Sequence, residues 1–210
     1  MIAQVRLYTI NRGKMESWIK LFNERLAPIH EKYGMQIGGA WVYAKQNEFI
    51  WLRVFDTPEE EKAKTEAYFK LPERVAVGDL PSQHIAKTEV RVSEFVYASP
   101  KPDPMPKAAQ FRLYTVNKGM LDKFEELFTS QIGPLHEEAG IPILSAWKYP
   151  KQNEFLWFRG FDSLDAMEPA LEKYNALPGR KALGEIPQSH HAKMEIRDVE
   201  YVFNPGPSIS

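Results

Sequence analysis

The chain has no cysteine among its 210 residues. Disulfides, thiolate nucleophiles and cysteine-ligated zinc or iron–sulfur centres are therefore excluded. It also lacks an excess of either charge: 27 Lys and Arg stand against 28 Asp and Glu, a formal net charge of -1. The two signs are interspersed. Nucleic acid needs a clustered basic footprint and an anionic membrane surface needs a basic patch, so both are argued against. No apolar run approaches the length that crosses a bilayer. The first residues run straight into a strand pattern without a basic n-region or apolar h-segment. Together these absences predict a soluble, cytoplasmic protein. No Gly-rich phosphate loop, nucleophile elbow or kinase signature is present, and no His-x-x-His or HExxH spacing. The reading therefore includes no cofactor and no metal.

What is there is a repeat. Residues 4–97 slide forward by 106 positions onto 110–203 without a gap, and about 40 of roughly 94 positions are then identical, the kind of self-match that decides an architecture. Gln4-Val5-Arg6-Leu7-Tyr8-Thr9 meets Gln110-Phe111-Arg112-Leu113-Tyr114-Thr115, and Lys45-Gln46-Asn47-Glu48-Phe49 meets Lys151-Gln152-Asn153-Glu154-Phe155. The reading is two domains, 1–98 and 109–204, with a Pro-rich spacer at 99–108. Domains this small bury a modest share of their surface and benefit from a partner face.

Each copy reads strand, helix, strand, strand, helix, strand. Residues 3–10 alternate as a strand, and Asn11-Arg12-Gly13 turns the chain. Met15, Trp18, Leu21, Phe22, Leu26 and Ile29 recur at helical spacing, with Pro28 (Pro134) expected to interrupt that helix and Gly34 (Gly140) to end it. Residues 37–44 and 47–55 form a hairpin. Thr57, Pro58 and Glu60 open the second helix as cap, first-turn proline and capping-box acid. The fold class is α+β: two fused ferredoxin-like βαββαβ domains that together form a pseudodimeric α/β barrel.

Strand parity divides each sheet into two faces. Val5, Leu7, Ile50, Leu52 and Val54 make an aliphatic face, expected to carry the helices. Arg6, Tyr8, Phe49, Trp51, Arg53 and Phe55 make an aromatic, charged face, held residue for residue in copy two and expected to meet its counterpart from the other copy. An eight-stranded barrel closed this way holds side chains or one small ligand.

These residues resemble the NIPSNAP family of the dimeric α/β-barrel superfamily. The likeness is carried by Arg6-Leu7-Tyr8-Thr9-Ile10-Asn11-Arg12-Gly13-Lys14, Pro28-Ile29-His30-Glu31-Lys32-Tyr33-Gly34, the aromatic hairpin from Trp41 to Trp51, and Phe55-Asp56. The same motifs stand at 112–120, 134–140, 147–157 and 161–162. The resemblance implies barrel closure by dimerisation, here within one chain, and leaves a homo-oligomer open. It implies a superfamily that hosts cofactor-independent monooxygenases, haem-degrading enzymes, dehydratases, cyclases and isomerases. It does not assign a reaction, because fold alone does not imply function.

Candidate site residues follow, each beside a plainer reading. Arg6, Arg53 and Arg91, with Arg112, Arg159 and Arg197, suit an anionic or enolate-like ligand; ion pairing with Glu89 and Glu195 is the alternative. Tyr8 and Tyr114 are candidate proton donors or packed amphipathic tyrosines. His30 and His136, and His84 and His190, are candidate acids or bases, or groups answering a helix C-terminus and a loop. Trp41, Tyr43 and Trp51, with Trp147, Tyr149 and Trp157, form a cage for a flat substrate or a packed core. The expected partner is a small organic molecule, anionic or aromatic. The leading expectation is acid–base chemistry in the barrel interior without metal. A non-catalytic ligand- or protein-binding module and a cofactor-independent monooxygenase are the alternatives.

Overall fold

The computed structural model describes residues 1–203. The tail from Asn204, which the sequence reading sets after the second repeat, lies outside the described residues. By internal contacts the described chain forms two units, 1–92 with 201–203, and 93–200. The repeat boundaries at 98 and 109 follow the sequence, whereas these contacts divide the chain inside two long strands. Residues 98–107 carry neither helix nor strand.

The first unit runs β1 (Ile2–Ile10), α1 (Met15–Leu21), α2 (Ala27–Lys32), β2 (Gln36–Tyr43), β3 (Glu48–Phe55), α3 (Pro58–Tyr68), α4 (Pro72–Val77), α5 (Leu80–His84) and the start of β4 (Ile85–Tyr97). The second repeats this as β5 (Ala108–Val116), α6 (Leu121–Leu127), α7 (Gly133–Glu138), β6 (Ile143–Tyr149), β7 (Glu154–Phe161), α8 (Met167–Ala176), α9 (Pro178–Leu183), α10 (Ile186–Ser189) and β8 (His191–Phe203). Every strand pair with a defined register is antiparallel. In the first unit β3 pairs with both β1 and β2, and in the second β5 pairs with β7 and β8 while β6 pairs with β7 and with the end of β4.

Local chemistry explains the boundaries. Pro28 and Pro134 lack an N–H, and each follows a wider-turned π segment, Phe22–Leu26 and Phe128–Ile132, that carries the chain into α2 and α7. The hairpin turns at Asn47 and Asn153, which hold left-handed φ values of 55° and 56°. Asparagine tolerates that region, and the side chains of Asn47 and Asn153 donate to the carbonyls of Ile10 and Val116. At α3 the Thr57 hydroxyl accepts from the Glu60 N–H at 3.1 Å, and Glu60 reaches back to the Asp56 N–H at 2.7 Å. That pair is a reciprocal capping box.

The two sheet faces are the reverse of the sequence expectation. Trp18 and Phe22 of the first helical segment pack on Tyr8, Phe49 and Trp51, and Tyr68 of α3 sits 4.8 Å from the Arg53 guanidinium. The aromatic, charged face therefore lies beneath its own helices. The aliphatic face, Val5, Ile50 and Leu52, is also fully buried but lies outside the helix-packed cluster. Alternation sorts side chains into two sets without saying which set the helices cover. Here the helices bring tryptophan, histidine and tyrosine to the layer, which suits a face able to satisfy guanidinium groups.

Candidate functional site

In the second unit, sheet and helices part to leave a cavity of about 250 Å³. β5 contributes Arg112 and Tyr114, β7 Trp157 and Arg159, and β8 His191 and Met194. The helices add Phe124, His136, Tyr174, Asn175 and Arg180. No Asp or Glu lines it. Three guanidinium groups thus surround a space without a carboxylate facing them.

Gln110 organises two of these arginines. Its Oε1 accepts from Arg159 Nη2 at 2.5 Å, Arg159 Nε at 3.1 Å and Arg112 Nη1 at 2.6 Å, and its Nε2 donates to Asp198 at 2.8 Å. The remaining Arg159 nitrogen donates to His136 Nε2 at 3.0 Å. His136 is 1 % exposed, and its Nδ1–H donates to the Ile132 carbonyl at 2.7 Å. Those two partners define a neutral imidazole, and burial followed by the charge of Arg159 pushes its pKa down to about 3. Burial, then Arg112, lowers Arg159 to about 9, so it stays charged at neutral pH.

Arg112 Nε donates to the Tyr114 oxygen at 2.5 Å. That oxygen is acting as acceptor, so its own O–H is left to donate elsewhere. The His191 ring lies 4.6 Å from the Tyr114 ring, tilted by 35°. Burial, then Arg112, lowers the His191 pKa. A phenol polarised by a guanidinium beside a neutral imidazole is an oxyanion donor next to a base.

In the first unit the equivalent cavity is only about 60 Å³. Arg6 Nε donates to Tyr8 at 2.7 Å, and burial followed by Arg53 lowers the buried His30 to about 3. The linings differ: among other changes, Trp18 replaces Phe124, Phe69 replaces Asn175 and Ile85 replaces His191. Two of these put a larger ring where copy two has a smaller group.

Several sequence candidates lie elsewhere. Trp41 is paired with Ile50 and Trp147 with Leu156, so both occupy the aliphatic face, opposite Trp51 and Trp157. Tyr43 and Tyr149, paired with Glu48 and Glu154, share that face. The expected cage of Trp41, Tyr43 and Trp51 is therefore split by the sheet. Gly39 and Ser145, where each strand shifts register, account for the miscount. Arg197 and Glu195 pair with Phe111 and Leu113, again on the aliphatic face, and bond each other at 3.1 Å. Arg91 and Glu89 make the same 3.1 Å pair. Neither Arg91 nor Arg197 converges with Arg53 or Arg159. His84 bonds Leu80 and Ser17, and His190 bonds Ile186; both stand outside the cavity linings.

Sequence comparison now bears on these units. Residues 3–99 match the NIPSNAP family model. No curated protein matches the chain. Among solved structures, a candidate monooxygenase from Lactobacillus acidophilus NCFM is 12% identical with a TM-score of 0.75, over 99% of this chain and 97% of that one. A candidate monooxygenase from Fusobacterium nucleatum subsp. nucleatum ATCC 25586 is 9% identical with a TM-score of 0.70, over 99% and 94%. An anthrone oxidase-like protein is 13% identical with a TM-score of 0.63, over 96% and 91%. At these identities the likeness is one of fold.

Within the NIPSNAP-matching repeat and its copy, the sequence reading missed Gln4 and Gln110, Tyr68 and Tyr174, Arg74 and Arg180, and His191. The first three pairs are identical at the 106-residue offset, which was the available signal; His191 has none, because its counterpart is Ile85. Among the described residues no group of three or more His, Asp or Glu is placed to hold a metal ion, and no helix is long and apolar enough to cross a membrane.

Proposed function

We propose that the second unit is a small-molecule site that removes a proton from an enolisable or phenolic substrate and holds the resulting oxyanion. What carries this reading is Tyr114, accepting from Arg112 at 2.5 Å with its ring 4.6 Å from that of His191, inside a cavity lined by three arginines. The neutral His191 takes the proton from the carbon beside a carbonyl. The bonding pair moves onto the carbonyl oxygen, and the Tyr114 O–H, backed by Arg112, donates to it. Returning the proton to another carbon completes an isomerisation. Arg159 and His136 are positioning residues, because their own bonds are already filled. This places the chemistry between sheet and helices of one unit rather than in a barrel interior, and gives the base role to His191 instead of His136 or His190.

A second reading is favoured by the aromatic lining of Phe124, Phe128, Trp157 and Tyr174. A flat, electron-rich carbanion bound there reacts with dioxygen, an activated CH2 and O2 giving a ketone and water. The oxidase and monooxygenase descriptions belong to the structural neighbours and suggest this outcome without assigning it.

The test is deuterium exchange of the acidic C–H of anthrone and of a cyclic β-diketone in D2O, under nitrogen and then with oxygen uptake followed. Exchange that falls at least tenfold in Tyr114→Phe and in His191→Ile supports proton abstraction, and oxygen uptake adds the second reading. Binding without exchange would leave a ligand-binding module, and absence of both would remove the proposal.

A further inference from the structure

The first unit has an unsatisfied requirement that the second does not. Arg53 is 2 % exposed, and its Nε and Nη1 have no hydrogen-bond partner. Its counterpart Arg159 places all three nitrogens, two of them on Gln110. In the first unit Gln4 gives its Oε1 to Arg6 Nη1 at 2.7 Å, and its amide is anchored to α3 by Glu61 and by Thr65 at 3.0 Å. Copy two has no such anchor, since Met167 and Leu171 stand at those positions and Asp198 of β8 takes the amide instead. The change of anchor leaves Arg53 without the oxygen acceptor that Arg159 enjoys.

Nothing else in the layer supplies one. The small cavity at Arg53 is lined by Arg6 and Arg74 as well, and by no Asp or Glu. Trp51 and Tyr68 lie 5.2 Å and 4.8 Å from the guanidinium, and such π contacts stabilise a cation without accepting its N–H bonds. His30 could take Nη1, as His136 takes that of Arg159, but Nε would still lack an acceptor. A buried guanidinium is costly unless both its charge and its donors are met. Glu61, engaged with the Gln4 amide, lends Arg53 part of a countercharge without bonding it, and water answers the donors without adding any.

We propose that the first unit binds a small monovalent anion, a halide or an oxyanion no larger than nitrate, against Arg53, with Arg6 and Arg74 completing the positive field. A space of about 60 Å³ admits such an ion and excludes the organic molecule proposed for the second unit. Corresponding pockets of the two repeats thus take ligands of different size. The substrate reading of the second unit can fail without affecting this one.

The probe is bromide. In crystals grown with sodium bromide, an anomalous peak is expected within hydrogen-bonding reach of the Arg53 guanidinium. In solution at constant ionic strength against gluconate, Tm is expected to rise by roughly 2–4 °C per tenfold bromide above its dissociation constant. Arg53→Gln removes the peak and the rise, while Arg159→Gln keeps both. Should Arg53→Gln fail to fold, Arg74→Gln, on the outer side of the cavity, is expected to weaken the bromide effect at least threefold. A peak confined to the second unit or the surface, water in its place, or a Tm rise equal in Arg74→Gln and wild type overturns the proposal.

Discussion

At the scale of single residues, His30 and His136 have the most consequential environment. Both are buried with Nδ1–H donated to the carbonyl four residues back. Their folded pKa values are near 3, through burial and then Arg53 or Arg159, against 6.5 in the unfolded chain. Between those values the unfolded state binds more protons. The contribution of the neutral rings is therefore complete above 6.5 and is lost as pH falls towards 3. The slope is about 1.4 kcal/mol per pH unit for each histidine at most. Urea unfolding at pH 7, 6 and 5 should show this decline, and His30→Gln with His136→Gln should flatten it. A decline equally steep in the double variant would mean that carboxylates elsewhere cause it.

At the scale of elements, turn and cap chemistry sets the strand and helix ends that aim the site. Asn47 holds a left-handed φ while donating to Ile10. Asn47→Ala should cost about 1–2 kcal/mol, through backbone strain and the lost bond, and Asn47→Gly should cost less because glycine accepts the backbone. Thr57→Ala removes the α3 cap and should cost about 1 kcal/mol. Denaturant midpoints measure all three. If Asn47→Gly proves as damaging as Asn47→Ala, the side-chain bond outweighs the φ requirement. The interrupted first helix of each repeat shows what was legible in advance: Pro28 and Pro134 marked the break, but the wide π turn ahead of them follows from bonding that no periodicity displays. The hairpin was legible too. Its internal register shift at Ile37–Gly39 was not, and that one step turns Trp41 and Tyr43 onto the aliphatic face, away from Trp51.

At the scale of the whole molecule, two copies descended from one pattern carry unequal cavities, about 250 Å³ against about 60 Å³. One organic ligand per chain is the expected stoichiometry in calorimetry with any compound that binds the second unit. Trp18→Phe with Phe69→Asn should enlarge the first cavity, since each replaces a ring by the smaller group found in copy two. A second binding event in that variant would show that ring volume closes the site. A stoichiometry of two in the unaltered chain would show that the difference in volume has no consequence for binding.

The sequence alone determined the repeat, its 106-residue offset, the order of elements and the polar and aromatic centre of each cavity: Arg6, Tyr8, His30, Trp51 and Arg53 with their copies. Identity at a fixed offset reports shared surroundings, and strand parity groups neighbours correctly within one strand. Only the tertiary structure decided which face the helices cover, that Arg197 lies on the opposite side, and that His191 rather than His190 enters the cavity. The reason is that alternation is symmetric between the two sides of a sheet. Which side is roofed depends on where the helices pack, a relation between distant segments that no local pattern contains.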